Sequence, residues 1–443
     1  MQQAELLPAT MPEIPTTTET KESGGELKLT EDQQKALESF FLFLCTPEER
    51  VWRLEGYSGC GKSTLVRTLL DQLPNFQKAA KLINTDYQPY AIELTATTNK
   101  AAENLGHITG FGVRTIHSLL GIRPSFDPTT RTTTMVPKSQ DPQVFDTLLF
   151  IDEASFIDSQ LLDYIFKLTR DCKIVFIGDP AQLAPVKTVG TPPVFAAGFP
   201  GAMLSEVVRQ ASTGTVNPIV DASTQFRHVV ETGDWTKVRI KPDGQYIVHL
   251  SNQDFQNAVE REFTRPDWRY KDSKVLVWRN QRAIDFNHFI RERAKGDPHF
   301  QVGDYAVVNS FVTAHKASLK TDQMVEITHI SEDTIEYDVL GNFFELDRSA
   351  KFFMPKSLAD KNKRMKRASA EEDYGLVNII ENQWIDLRAA YASTVNKAQG
   401  STYDRVFIDV ADIGRCNSGD QIARMMYVGI SRARHQVILT GDF

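Results

Sequence analysis

The sequence has few cysteines, no long hydrophobic run and no excess of positive charge. Its four cysteines, at positions 45, 60, 172 and 416, show no paired spacing. This scatter argues against a disulfide framework and a zinc site, and it favours a reducing compartment. No apolar run approaches the ~20 residues that a membrane-spanning helix needs, and the N-terminus lacks the pattern of a signal peptide. We therefore predict a cytoplasmic protein without membrane attachment.

The charge balance narrows the classes of partner. Fifty Lys and Arg residues against 57 Asp and Glu residues give a net charge of −7, which excludes a uniformly basic nucleic-acid coat. A local basic groove stays compatible with this charge, because phosphate contacts depend on the residues that face the groove. The length of 443 residues predicts two to four domains. Residues 1–28 are rich in Pro, Thr, Glu and Ser, and they predict a disordered tail.

The rest of the chain alternates short apolar strands with helical patterns, which predicts an α/β fold built on parallel sheets. Thr30 is a candidate N-cap for a helix that continues to residue 44. The strands fall into two groups, which predicts two sheets; the candidates are residues 51–56, 91–96, 147–152 and 173–179, then 274–280, 405–410 and 436–442. Residues 302–350 instead predict short antiparallel strands, an all-β insertion within the second α/β unit.

Residues 56–64, GYSGCGKST, follow a strand and precede a helical pattern at residues 63–73. This arrangement is the phosphate-binding loop G-x-x-x-x-G-K-[ST]. Glycines let successive backbone N–H groups point at phosphate oxygens, and the helix N-terminus adds partial positive charge. The predicted nucleotide-binding residues of the loop are Gly56, Gly59, Gly61, Lys62, Ser63 and Thr64. Lys62 would reach the β- and γ-phosphates, and Ser63 would hold Mg²⁺.

A partner acid is expected at the end of another apolar strand, and LLFIDEAS at 148–155 supplies two. Asp152 would hold or approach Mg²⁺, and Glu153 would polarise the attacking water. The adjacent Glu153 favours a hydrolase over a nucleotide kinase. A guanine-selective N-K-x-D tetrad is expected in a GTPase, and NKAA at 99–102 lacks the Asp, so ATP is the favoured nucleotide.

Nine segments then occur in a fixed order: LTEDQQKAL, GYSGCGKST, ATTNKAA, TIHSLLG, IDEAS, GDPAQLAPV, LSEVVRQ, STVNKAQGST and YVGISRAR. This series, from residue 29 to 434, resembles the motifs of superfamily 1 DNA helicases. It is most similar to the B subgroup, which includes RecD-type and Dda-type enzymes. Nine motifs in order make a chance match untenable.

The resemblance implies two RecA-like P-loop domains, with a β-hairpin insertion in the first and an SH3-like β insertion in the second. The implied bounds are 29–195 for domain 1A with a hairpin at about 121–141, 196–301 plus 386–443 for domain 2A, and 302–385 for the insertion 2B. A basic stretch, at 361–367, belongs to that insertion, and a solvated helix face is the favoured interpretation of it over a DNA contact. The implied setting is a bacterial cytoplasm, or that of a host cell if the gene belongs to a phage.

The resemblance also assigns residues to the nucleotide. Gln33 would read the adenine edge, and Gln182 would sense the γ-phosphate. Gln399 and Gly400 would face the nucleotide as well. Arg209 and Arg432 would reach across from the second domain as arginine fingers. Placing cations on a second domain would tie hydrolysis to closure of the cleft.

A second implied set lines the DNA track: Thr98, Asn99, Lys100, Thr115 and His117 on the first domain, and Thr394, Asn396 and Lys397 on the second. Their hydroxyl, amide and ammonium groups suit sugar and phosphate contacts that do not read sequence. The pattern has departures. Asn396 and Asn99 stand where related motifs have His, and Tyr57 and Cys60 occupy loop positions that are commonly Pro and Thr.

The hairpin region at 121–140 resembles the pin that splits the duplex in this subgroup, and Phe126 and Met135 are the candidate wedges.

The predicted function is an ATP-dependent helicase that moves 5′ to 3′ on single-stranded DNA and binds forked DNA. It is expected to work as a monomer, and single-strand-binding or replisome proteins are candidate partners. Two alternatives stay open: a translocase that strips bound proteins, and a nucleotide-switched DNA-binding module without stepping. DNA replication and recombination both fit as pathways.

Overall fold

A computed structural model describes residues 29–85, 87–127, 132–184, 190–206, 217–297, 299–314, 317–347 and 350–442. The predicted tail at 1–28 and the predicted arginine finger Arg209 lie outside the described residues. Among the helices within these ranges, none has the length and apolar character needed to cross a membrane.

The helices are α1 Glu31–Cys45, α2 Lys62–Ile83, α3 Asn99–Thr109, α4 Ile116–Leu119, α5 Ser159–Leu168, α6 Pro193–Ala196, α7 Pro218–Thr232, α8 Asn252–Phe263, α9 Asn280–Lys295, α10 Leu358–Ala370, α11 Tyr374–Asn382, α12 Val395–Ala398, α13 Val410–Ile413 and α14 Gly419–Ser431. A 3₁₀ turn spans Ala154–Phe156.

The strands up to residue 277 are β1 Val51–Gly56, β2 Ala91–Ala96, β3 Val113–Thr115, β4 Ile122–Asp127, β5 Thr132–Pro137, β6 Val144–Phe145, β7 Thr147–Asp152, β8 Thr169–Arg170, β9 Lys173–Gly178, β10 Gly201–Leu204, β11 Ile247–Leu250 and β12 Ser273–Val277. The later strands are β13 Tyr305–Val308, β14 Val312–Ala314, β15 Ala317–Leu319, β16 Met324–Ile330, β17 Thr334–Glu336, β18 Val339–Leu346, β19 Ala350–Pro355, β20 Leu387–Ala389, β21 Ala392–Thr394, β22 Tyr403–Asp409 and β23 Ala433–Thr440.

The first lobe is built on a six-stranded parallel sheet in the order β10-β1-β9-β7-β2-β3. Every residue of β9 is buried, as expected for a central parallel strand that helices cover on both faces. Separate apolar clusters pack on the two faces, one around Phe40 and Leu69 and the other around Ile165 and Phe176. The strands predicted at 51–56, 91–96 and 147–152 are confirmed to the residue.

Helix α1 begins where the sequence predicts, whereas α2 extends beyond its predicted end. Thr30 caps α1: its hydroxyl accepts from the backbone N–H of Gln33, whose side chain accepts from the N–H of Thr30. Helix α2 was predicted to end at residue 73, before Pro74, and that end is wrong, because the helix continues to Ile83. The buried face that carries Leu69 and Leu73 continues to Ala80. Tertiary packing therefore outweighs the single backbone hydrogen bond that a proline removes.

The second lobe is a five-stranded parallel sheet in the order β11-β23-β22-β12-β21. Its core forms where α7 and α14 cover one face, around Phe226, Met426 and Ile408. Helices α8 and α9 cover the other face, around Phe255, Phe286 and Phe407. The two predicted parallel sheets are thus confirmed, in the arrangement of an α/β fold.

The predicted antiparallel insertion is present and is larger than the predicted strand region. Its path runs β17-β18-β16-β13-β20, and β19 pairs with β18. The sheet therefore extends beyond residue 350 through β19 and takes its edge strand from Leu387–Ala389. Helices α10 and α11 pack beside it around Phe353 and Trp384. The SH3-like character of this insertion and the exact domain bounds stay predictions.

Candidate nucleotide site and DNA groove

The phosphate loop joins β1 to α2. Gly59 and Gly61 have φ angles of 85° and 82°, which side chains with a Cβ rarely adopt. A Cβ on Gly56 would lie 2.5 Å from Cys60 Sγ, so the loop requires glycine there as well. The Nζ of Lys62 donates to the carbonyl oxygens of Gly56 at 2.5 Å and of Tyr57 at 3.0 Å. The Lys62 side chain is thus hydrogen-bonded to the backbone of its own loop. Ser63 and Thr64 line the adjoining groove.

Gln33 connects α1 to this loop. Its Nε2 donates to the carbonyl oxygen of Cys60 at 3.3 Å, and the residue is only 4% exposed. The neighbouring Asp32 accepts from the N–H and the hydroxyl of Ser205, at 2.8 and 2.6 Å, and these bonds lower its pKa. Gln33 therefore lies at the loop, as the prediction requires, and its role toward adenine stays a prediction.

Two carboxylates meet at the end of β7. Asp152 is the last residue of the strand, and its Oδ1 accepts from the N–H of Glu153 at 2.8 Å. Glu153 has a φ of 54°, a left-handed conformation that turns the chain sharply toward the cleft. Burial raises the pKa of Asp152 to about 7, and the Glu153 carboxylate adds to the rise. Burial also raises the pKa of Glu153, and Arg432 and Lys62 oppose this effect.

The loop after β9 brings the predicted γ-phosphate sensor into the same place. Asp179 is fully buried, and it accepts from the N–H of Ala181 at 2.9 Å and from Gln182 Nε2 at 3.3 Å. The Oε1 of Gln182 in turn accepts from Gln399 Nε2 of the second lobe at 2.7 Å. Both ends of the Gln182 amide are therefore held, and one of the two partners lies across the cleft.

The second lobe also supplies an arginine. Arg432 follows α14, is 6% exposed, and its Nη2 lies 3.5 Å from Ser58 Oγ in the phosphate loop. Its other nitrogens donate to the carbonyl oxygens of Val428 and Ser401. Gly400 lies beside Glu153, since a Cβ added there would be 3.8 Å from Glu153 Oε1. The structure thus brings Lys62, Asp152, Glu153, Gln182, Gln399, Gly400 and Arg432 together.

Sequence reasoning missed two residues of α14 that contact the first lobe. Tyr427 Oη donates to Asp179 Oδ2 at 2.6 Å and accepts from the N–H of Ser58 at 2.9 Å. Arg424 donates to the carbonyl oxygens of Pro180 and Gln182, both at 2.8 Å. Part of the signal was available, because Arg424 and Tyr427 lie three apart on the helix that immediately precedes Arg432 and therefore share a face. One helix of the second lobe therefore holds the 179–182 loop of the first.

A groove of about 1680 Å³ continues from the phosphate loop between the lobes and the insertion. Asn99, Lys100, Thr115, Thr394 and Lys397 line it together with the unpredicted Tyr270, Lys271, Lys320, Arg388 and Arg434. Thr98, Thr115 and Thr394 share one arrangement: each is a helix N-cap, and its hydroxyl accepts from a backbone N–H three residues later. Asn396 lies in α12 beside Thr394, and His117 lies in α4.

Three of the predicted DNA-binding residues, Asn99, Lys100 and Lys397, contact neighbours across the groove. Lys100 contacts the hydroxyl of Ser401, and burial lowers its pKa. Asn99 Nδ2 donates to the carbonyl oxygen of Thr321 at 3.4 Å. Lys397 Nζ donates to Asn309 Oδ1 at 2.6 Å and lies 3.5 Å from Asp322. The insertion therefore contacts both segments of the predicted DNA track at the 320–323 turn. Burial also lowers the pKa of His117.

The candidate pin is an antiparallel hairpin of β4 and β5, paired from Ile122 with Pro137 to Asp127 with Thr132. Met135 in β5 is 38% exposed. Phe126 lies in β4, and its side chain lies outside what the structure describes. The basic stretch lies on α10, where Arg364 donates to the carbonyl oxygen of Tyr337 and Arg367 pairs with Glu371.

Two family models match the chain. One, described as an AAA domain, covers residues 28–233, and the other, a UvrD-like helicase C-terminal domain, covers residues 389–440. The chain is 22% identical over 464 residues to the ATP-dependent DNA helicase dda of Enterobacteria phage T4, covering 92% of this chain and 98% of that protein. It is 31% identical over 198 residues to the ATP-dependent RecD2 DNA helicase of Deinococcus radiodurans, covering 43% of this chain and 24% of that protein.

Among solved structures, the chain is similar to one titled as the structural basis for DNA unwinding at forked dsDNA by two coordinating Pif1 helicases. The TM-score is 0.50 and the identity 17%, and the match covers 94% of this chain and 92% of that one. At this identity the likeness concerns the fold, which it supports over nearly the whole chain. The two family models and the match to dda over nearly the full length of both proteins agree with the resemblance to superfamily 1 helicases of the B subgroup.

Proposed function

We propose that the chain is an ATP-dependent DNA helicase that moves along single-stranded DNA, 5′ to 3′, and separates duplex strands at a fork. One observation carries the proposal: Arg432 of the second lobe lies 3.5 Å from Ser58 of the phosphate loop in the first. The printed names of dda and RecD2, both ATP-dependent DNA helicases, support the same activity. A site completed by both lobes links nucleotide turnover to their relative movement.

Binding of ATP would use the first lobe. The glycine-rich loop and the N-terminus of α2 present N–H groups to the phosphates, and Lys62 would exchange its carbonyl partners for phosphate oxygens. Ser63 and Asp152 would hold Mg²⁺, which neutralises phosphate charge when bound. A hydroxyl and one carboxylate suit this ion, which commonly takes one or two carboxylates together with substrate phosphates. Burial raises the pKa of Asp152 and Lys62 offsets only part of that rise, so a cation beside this carboxylate would favour its ionised form.

Hydrolysis would use residues that both lobes place around the γ-phosphate. Glu153 would orient and deprotonate the attacking water, and Arg432, Lys62 and Gln399 favour the ionised form of its carboxylate that this role needs. Gln182 would contact the γ-phosphate from a position that Asp179 and Gln399 hold. Arg432 would stabilise the charge that spreads over the transferred phosphoryl group. Loss of the γ-phosphate would remove the group that residues of both lobes contact, and the cleft would open.

Movement along DNA would follow from grip by the two lobes in turn. The capping threonines use an oxygen lone pair for the backbone N–H, and each hydroxyl keeps its O–H to donate to a phosphate. Lys100 contacts Ser401, two residues from Gln399, so the DNA face and the nucleotide site are joined through one short segment. Hydrolysis of one ATP in cells releases enough free energy to separate a base pair, because a base-pair step holds only about 1–2 kcal/mol of stacking.

A strand-displacement assay on 5′-tailed and 3′-tailed duplexes tests the proposal, run with ATP and with a non-hydrolysable analogue. We expect displacement only with ATP and a 5′ tail. Displacement from a 3′ tail would refute the polarity. ATP hydrolysis with no displacement on either substrate would favour the protein-stripping translocase, and ATP-dependent DNA affinity without turnover would favour the switch. The Lys62→Ala variant is the control, expected to bind single strands while hydrolysing no ATP.

A further inference from the structure

Tyr57 joins the phosphate loop directly to the second lobe. Its carbonyl oxygen accepts from Lys62 Nζ at 3.0 Å, so the residue is part of the loop's hold on that lysine. Its side chain points to α7, where its hydroxyl donates to Glu231 Oε1 at 2.7 Å. The Cζ of Arg227 lies 3.6 Å from the centroid of its ring. One residue of the loop thus contacts the lysine of its own lobe and two charged side chains of the other.

Arg227 and Glu231 lie one turn apart on α7, and Arg227 Nε is 3.6 Å from Glu231 Oε1. Within the described residues, Arg227 Nε is buried and has no hydrogen-bond partner. The Arg227 side chain is 18% exposed, so the face of the Tyr57 ring replaces much of its water. Burial raises the pKa of Tyr57, and the Glu231 carboxylate adds to this, so the hydroxyl stays protonated and can donate.

We propose that Tyr57, Arg227 and Glu231 form a clasp that favours the closed nucleotide cleft. The inference rests on the proposed function for the statement that ATP binds between the lobes. Because α7 packs on α14, the clasp holds the phosphate loop against the same helix pair that carries Tyr427 and Arg432. The Tyr57 and Arg227 side chains are then positioning residues, which act through the distance between the lobes.

The clasp should appear in ATP affinity rather than in the chemical step. When only the closed cleft binds tightly, the apparent dissociation constant varies inversely with the closed fraction. A cation–ring contact that is partly desolvated changes such an equilibrium by about threefold to tenfold. Removing the ring should therefore raise KM for ATP and the Kd of a fluorescent non-hydrolysable ATP analogue by that factor, and should leave kcat within about twofold.

A double-mutant cycle tests the contact itself. Tyr57→Leu and Arg227→Met should each weaken binding of the analogue by about fivefold, and the double variant should be no weaker than either alone. Multiplicative losses of about 25-fold would overturn the clasp, because the two residues would then act independently. Unchanged or tighter binding in both single variants would overturn it as well.

Two further variants separate the clasp from general damage. Tyr57→Phe keeps the ring face over Arg227 and loses only the hydrogen bond to Glu231, so it should restore much of the affinity that Tyr57→Leu loses. Arg293→Met removes a cation–ring contact of the same kind, 5.7 Å from Phe289 within the second lobe, and should leave the affinity unchanged. If the wild-type protein hydrolyses no ATP, the proposed function is refuted. If the wild type hydrolyses ATP and Tyr57→Leu binds the analogue as tightly as the wild type, only the clasp is refuted.

Discussion

The Tyr427 hydroxyl offers the sharpest test of how the lobes meet. Tyr427→Phe removes one oxygen that donates to the buried carboxylate of Asp179 at 2.6 Å and accepts from the N–H of Ser58 at 2.9 Å. A hydrogen bond to a charged group contributes about 1.5–3 kcal/mol. Asp179 keeps two other donors, Ala181 and Gln182, so it remains partly satisfied after the change.

Because this bond exists only when the lobes meet, its loss should fall on the closed, hydrolysing state. We expect kcat/KM for DNA-stimulated ATP hydrolysis to drop by about tenfold to a hundredfold, since each 1.36 kcal/mol corresponds to a factor of ten. Tyr87→Phe is the matched control, because the Tyr87 hydroxyl is also buried and has no hydrogen-bond partner among the described residues. Equal kcat/KM in Tyr427→Phe and wild type would refute the coupling of α14 to the 179–182 loop.

Three further predictions concern the carboxylate, the hairpin and the histidine. Glu153→Gln should bind ATP and turn over at least a hundredfold more slowly in single-turnover assays; normal turnover would mean that another group serves as base. Met135→Ala should reduce duplex unwinding more than DNA-stimulated ATPase, and equal losses would argue against a pin. Because burial lowers the pKa of His117, its contribution to stability should fall as the pH drops below 6.5, and any step in single-strand affinity that His117→Gln abolishes should lie below pH 6.5; such a step above pH 6.5 would contradict this.

Local signals predicted the parts of the site that a single segment encodes. The loop from Gly56 to Thr64 needs its glycines for backbone geometry, and Asp152 must end a buried strand, so spacing alone located both. The capping box at Thr30 is equally local. The end of α2 was missed, because Pro74 is a local stop signal that a continuous buried face outweighs.

Contacts between the lobes were much harder to predict. Tyr427, Arg424 and Arg227 act through the way α14 and α7 approach the first lobe, and helical spacing indicates a shared face without naming what that face meets. Lys100 illustrates the same limit. The resemblance implied a DNA contact for it, and the structure places its ammonium against Ser401 of the second lobe, so its role toward DNA stays a prediction.

The central claim is that one ATP site is completed by both lobes, and DNA-stimulated ATPase of Arg432→Gln measures it most directly. Lys62 belongs to the first lobe and Arg432 to the second, and Arg432 Nη2 lies 3.5 Å from Ser58 Oγ in the phosphate loop. Arginine fingers typically contribute about 10³–10⁵ in kcat, so we predict that a folded Arg432→Gln variant loses at least a thousandfold in kcat while its single-strand affinity stays near that of wild type. Hydrolysis at the wild-type rate by a folded Arg432→Gln variant would contradict the account.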